Sequence, residues 1–117
     1  STAQPVREAL LKQIRQSHCD LLPESQLPAM LAVQQQRDRR MAEALIAAPA
    51  PSLLFAGAFH VRRDLGVPLH LQDLHADQSL QVLILSEAGS AVSATSADYA
   101  WYTPPRPEQD HCAKLRP

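Results

Sequence analysis

Glycine is scarce in this 117-residue chain, and its three residues, Gly57, Gly66 and Gly89, stand far apart. A loop that cradles phosphate needs several closely spaced glycines, so the common nucleotide-binding loops are excluded within this segment. An excess of one charge is missing too: 11 Lys and Arg face 12 Asp and Glu, for a net charge of −1. Nucleic-acid binding draws on many Lys/Arg–phosphate contacts, and without a basic stripe no nucleic-acid partner is expected. No apolar run approaches the roughly 20 residues that a membrane-spanning helix needs. The opening Ser1-Thr2-Ala3-Gln4-Pro5 lacks the charged-then-apolar order of a signal peptide. Two expectations stay open there: a cytosolic protein, or an exported one whose leader is not in this chain.

What is present indicates a folded chain: 45% of residues are hydrophobic and 20% charged, at a length that allows one domain or part of one. Val6, Leu10, Leu11 and Ile14 have helical spacing, and Pro5 suits the first turn of that helix. Beyond a proline-containing break over 21–28, good helix formers predict a second helix from about Pro28 to Ala48, ended by Pro49 and Pro51. Ser52-Leu53-Leu54-Phe55-Ala56 reads as a short strand buried on both faces, as in a parallel sheet. A helical stretch over 61–74, interrupted at Gly66-Val67-Pro68, leads to a second strand over 80–85. The segment Tyr99–Tyr102 reads as a last edge strand. Alternating strands and helices predict an α/β fold, a mostly parallel sheet flanked by helices. Two or three strands make a thin sheet, so residues 1–117 are expected to form a single partial domain.

The strongest local pattern is Gly57-Ala58-Phe59-His60, directly after the first predicted strand. In open α/β sheets ligands bind beyond the carboxyl ends of strands, and an imidazole delivered there suits metal binding or proton transfer. A histidine that merely caps the following helix is the structural alternative. Arg62 could pair with a ligand carboxylate through its planar fork, whereas Arg63 reads as a solvated first turn. On the second helix, Met30, Val33, Met41 and Leu45 share an arc with Gln34, Arg37 and Asp38. Unpartnered burial of Arg37 or Asp38 would be costly, so they face a polar cavity or each other, supporting the strand-end loop. His70 and His75 lie on different helical faces and read as surface residues. Three of the five aromatics are Tyr99, Trp101 and Tyr102; a tyrosinate can ligate haem iron, and an edge strand is the plainer account of Trp101.

Cys19 and Cys112 each follow a histidine. A zinc site is one reading, although structural zinc sites space their ligands more closely. A disulfide is simpler: it ties the loop after the first helix to the proline-rich tail, and would place the chain in an oxidising compartment. Two free buried thiols are the third reading.

Taken together, several strings resemble the ChaN-like haem-binding lipoproteins of the haem-binding uptake, Tiki superfamily. They are Gln35-Gln36-Arg37-Asp38-Arg39-Arg40-Met41-Ala42, the run from Gly57 through His60 to Leu71, His18-Cys19 with Leu22-Pro23, and Asp98 to Pro104 with Cys112. The resemblance implies an exported, lipid-anchored protein of haem uptake on the periplasmic side of the outer membrane. It also implies haem as cofactor and dimers that enclose stacked haems. Family members hold iron through a tyrosine with a histidine assisting. His60 matches the family's histidine, Tyr99 is the better candidate for the tyrosine and Tyr102 the weaker, and Arg62 and Arg37 are candidate contacts to the cofactor. Related proteins carry a second G-x-x-H motif in an amino-terminal half that is absent here. The chain therefore reads as the carboxyl-terminal portion of a larger Tiki or erythromycin-esterase-like domain. Some of that wider group act as hydrolases with a divalent metal, which makes a metal-dependent hydrolase, inactive as this piece, the alternative function.

Overall fold

The computed structural model describes residues 3–115. They form two compact units, one comprising residues up to Gln34 with those from Arg106 onward, the other Gln35–Pro105. In the first, Gln4–Ser17 forms helix α1, with Pro5 in its first turn and Arg15 in its last, where a cation suits the negative helix end. The predicted stripe is the buried one: Leu10, Leu11 and Ile14 are buried and Val6 is half-buried. Cys19 and Asp20 then take left-handed backbone (φ 58° and 56°), and the Asp20 N–H returns to the Arg15 carbonyl at 2.9 Å. Helix α2 spans Leu27–Ala47, and its first turns give this unit two more buried leucines, Leu27 and Leu31. A disulfide joins Cys19 to Cys112 across a separation of 93 residues, which settles the three cysteine readings. Closing so long a loop contributes up to about 4.5 kcal/mol in a chain-entropy account.

In the second unit, α2 continues from Gln35 and buries Asp38 and Ala42 one turn apart. The stripe is rotated from the predicted arc, so Val33 is 57% exposed and Arg37 falls on the exposed edge. Ala42, Val67 and Leu71 make one core cluster, with Met41, Leu45, Leu54, Leu74, Ala76 and Leu80 packed on it. The single turn α3 (Ala58–Val61) and helix α4 (Val67–Asp73) replace the interrupted helix read from the sequence, with Gly66 as the N-cap of α4. Strands β1 (Leu83–Glu87) and β2 (Tyr99–Thr103) pair in parallel, Leu83 opposite Tyr99 and Leu85 opposite Trp101. Val82 and Ile84 point to the core with Ala97, while Leu83 and Leu85 point away, the two-residue alternation of a strand.

This two-stranded parallel sheet with flanking helices is the expected α/β architecture. Two details differ. Ser52–Ala56 takes no place in the sheet among the described residues, and Leu53 and Phe55 are 76% and 86% exposed rather than buried. An apolar run becomes a buried strand only where neighbours cover both faces; here Leu54 alone packs on the core cluster, and no strand pairs with the run among the described residues. The strand read over 80–85 begins at Leu83 and runs to Glu87, and the crossover from β1 to β2 over 88–98 is irregular. Its small and hydroxyl-bearing residues bond locally instead, as Ser93 does with Thr95 (2.8 Å), and the Val92 N–H donates to the Tyr102 hydroxyl. No helix among the described residues is long and apolar enough to cross a membrane.

Gly66 is where the backbone closes on itself. A Cβ there would overlap the His60 carbonyl and stand 2.9 Å from the Phe59 oxygen. Gly66→Ala is expected to cost about 2 kcal/mol or more, lowering Tm by roughly 8 °C or more in circular-dichroism melts. At Gly89 (φ +100°) nothing lies within 4 Å of a Cβ, so Gly89→Ala should cost only about 1 kcal/mol, from backbone conformation alone.

Candidate functional site

His60 lies inside α3, whose N-cap is Gly57, so it is not a helix cap. Its Nδ1 stands 2.5 Å from Asp38 Oδ1. The Asp38 side chain is fully buried, while the His60 side chain keeps 27% of its surface exposed. With the imidazole neutral, Nδ1–H donates to the carboxylate and Nε2 retains a lone pair on the ring edge turned away from Asp38. A carboxylate behind a histidine in this way fixes the tautomer and strengthens the ring as a ligand. The pair spans α2 and α3, 22 residues apart in sequence.

The second carboxylate oxygen, Asp38 Oδ2, is buried with no hydrogen-bond partner among the described residues. Burial pushes the Asp38 carboxyl above its ordinary value near 3.8, against the His60 hydrogen bond and the charges of His60, His70 and Arg37. Arg37 therefore acts on Asp38 through space from an exposed position, and the partner of Asp38 is His60. The sequence carried half of this: an acid on an apolar helix stripe demands a partner, but nothing local says that the partner lies 22 residues on.

The other candidates fall around this pair. Arg62 forms a two-point ion pair with Asp64 (Nε to Oδ1 3.0 Å, Nη2 to Oδ2 2.7 Å) and lies 5.5 Å over the Phe59 ring, so its fork is occupied. Arg63, read as solvated, instead anchors the loop: its N–H donates to the Ser96 carbonyl at 2.8 Å and its side chain pairs with Asp98. Asp98 also accepts the Val82 N–H at 2.7 Å. The segment that carries His60 is thereby tied to the start of β2, where Tyr99 is 58% exposed. The Tyr99 hydroxyl makes no hydrogen bond among the described residues, whereas the Tyr102 hydroxyl accepts from Val92.

A depression of about 180 Å³ lined by Arg63, Pro68, Gln72, Asp77 and Leu80 includes neither His60 nor either tyrosine. Enclosed ligand sites run to roughly 300–1,000 Å³, so this depression is small for a ligand of haem's size. Apolar side chains close to it in sequence, Phe55 and Phe59, are 86% and 37% exposed.

Two outcomes test the pair. Long-range nitrogen NMR of the wild-type chain should show a protonated Nδ1 and a free Nε2 on His60 at mildly alkaline pH, a preference that Asp38→Ala abolishes at a cost of about 1–3 kcal/mol. Because burial raises the folded-state value of Asp38, its contribution to stability is fully present below pH 3.8 and is lost as pH rises through that raised value. Urea melts across this range should therefore show a decline in wild type relative to Asp38→Asn.

Comparison with known proteins bears on the family of the chain. The family model described as haem-binding uptake, Tiki superfamily, ChaN matches residues 1–71, more than half of the chain. A solved structure described as cofacial haem binding to ChaN of Campylobacter jejuni is similar at 34% identity with a TM-score of 0.74, over 86% of this chain and 39% of that one. The chain thus spans well under half the length of that solved relative. No curated protein matches it. Its motifs, its α/β fold and these two matches make the chain a member of the ChaN family of the Tiki superfamily.

Proposed function

We propose that this chain is the carboxyl-terminal part of a haem-binding protein of haem uptake, and that His60, seated on Asp38, lies at its haem site. The observation that carries the proposal is the buried Asp38 behind a half-exposed imidazole, in a chain 34% identical to a ChaN structure solved for its haem binding. The residues fit such a group: an imidazole with a free Nε2, an unengaged phenol at Tyr99, exposed apolar surface at Phe55 and Phe59, and an exposed guanidinium at Arg37. Haem, when bound, would supply a Lewis-acidic iron for these side chains to ligate, on a flat apolar ring with two carboxylate arms.

Each residue then has a distinct task. Asp38 holds the Nδ1 proton, so Nε2 meets the ligand as an acceptor with its orientation set. Tyr99, the more exposed of the two tyrosines, would give up its phenolic proton to act as a ligand. Tyr102 is the weaker choice because its hydroxyl already accepts from Val92. Arg37 would pair with a carboxylate arm, while Arg62, engaged by Asp64, would offer its remaining N–H donors and steady the Phe59 ring.

A flat ligand needs a wall on each side. Leu83, Leu85, Tyr99 and Trp101 are 49%, 61%, 58% and 66% exposed on one face of a parallel sheet, a sheet type that is normally covered on both faces. The amino-terminal half of a longer protein would supply that cover, and a second copy would close the far side of the ligand as a homodimer. The disulfide supports an exported, oxidising location on the periplasmic side. Lipid anchoring at the outer membrane rests on the family likeness alone. The metal-dependent hydrolase has less support: His60 belongs to no group of three or more metal-ligating side chains among the described residues.

Hemin titration followed by the Soret band tests the reading. His60→Ala is expected to weaken binding roughly ten-fold or more, and Tyr99→Phe should change the band itself while Tyr102→Phe leaves it close to wild type. A band and affinity unchanged in all three variants would remove these residues from the site.

A further inference from the structure

The first unit holds a separate constellation of ligating atoms. Beside the Cys19–Cys112 disulfide, His111 places Nε2 3.5 Å from Cys112 Sγ. One ligand atom from each of Cys19, His111 and Cys112 lies within 4.8 Å of the others. A tetrahedral zinc ion, with Zn–S near 2.3 Å and Zn–N near 2.0–2.1 Å, sets its sulfur and nitrogen ligands about 3.5 Å apart. The His111–Cys112 spacing already has the length of that edge. Backbone anchors hold both ends independently of the sulfur bridge: the Asp20 N–H donates to the Arg15 carbonyl at 2.9 Å, and the Cys112 N–H to Asp110 Oδ1 at 3.0 Å. Cys112 is buried, Cys19 half-buried and His111 exposed, so the cluster opens to solvent on the His111 side and leaves a fourth position for water.

We propose that the Cys19–Cys112 disulfide masks a soft-metal site, and that reduction opens it to one zinc-class divalent ion held by Cys19 Sγ, Cys112 Sγ and His111 Nε2. The reductant is a dithiol. Its thiolate attacks the more exposed Cys19 sulfur, the Cys19–Cys112 bond breaks, and Cys112 leaves as a thiolate that takes up a proton. The second thiol of the reductant then displaces Cys19, so the reductant ends as a cyclic disulfide and the protein as two thiols. Metal uptake releases both thiol protons to solvent, because zinc binds thiolate and neutral imidazole. In the oxidised chain neither sulfur can become a thiolate, and the site does not exist. None of the three ligands belongs to the haem proposal, so the two readings stand or fall separately.

The test mixes the full chain with Co²⁺ alone, before and after reduction by a phosphine, since a dithiol would itself chelate the metal. Reduced wild type should bind one equivalent with thiolate-to-cobalt charge-transfer bands and the visible bands of a tetrahedral site, and the oxidised chain should show neither. His111→Ala should weaken this binding roughly ten-fold or more, and Cys19→Ser with Cys112→Ser should abolish it. Far-ultraviolet circular dichroism accompanies each titration. If reduction lowers helicity, Zn²⁺ should restore it in wild type and not in the double variant. Reduced wild type that binds no more Co²⁺ than the double variant, or that stays unfolded in Zn²⁺, overturns the proposal. A His111→Ala variant that binds like wild type removes His111 from the site.

Discussion

A carboxylate taken fully out of water has to be matched, and in the second unit Asp38 is matched by a single imidazole. That one hydrogen bond joins α2 to α3 across 22 residues, sets which ring nitrogen carries the proton and leaves the other outward. An ion or dipole buried this way stabilises weakly and specifies strongly, because removing either partner strands the other. The surroundings serve the same end. Gly66 lets α4 begin against the His60 carbonyl, and Arg63 with Asp98 pins the following loop to the residue just before β2.

The sheet leaves one of its two faces open. Two parallel strands bury one face on Val82, Ile84 and Ala97, and leave aliphatic and aromatic side chains on the other. Leu53 and Phe55 stand open as well, in a segment with strand-like composition and no strand partner among the described residues. The chain spans 39% of its solved relative.

Much of this was readable from residues. The α1 stripe, the extent of α2, the glycine break before α4 and the strand character of 99–102 all follow from local spacing and turn chemistry, and the structure keeps them. Ser52–Ala56 was misread because burial is a property of neighbours, which composition cannot supply. The α2 arc was rotated because counting Val33 as core drew the stripe toward Arg37, while Leu27 and Leu31 in fact define it. His60 was found through its motif, and Asp38 was flagged as needing a partner. That these two answer each other, and that Arg63 rather than Arg62 anchors the loop, depends on pairings far apart in sequence.

The bridge between Cys19 and Cys112 also makes most of the polypeptide a covalent ring, with only short stretches outside it. Any one peptide bond cut between those positions leaves both pieces tethered, so a protease acting once on an exposed loop alters the chain's connectivity without releasing a fragment. In an environment rich in proteolytic enzymes, nicked molecules would persist as single covalent bodies.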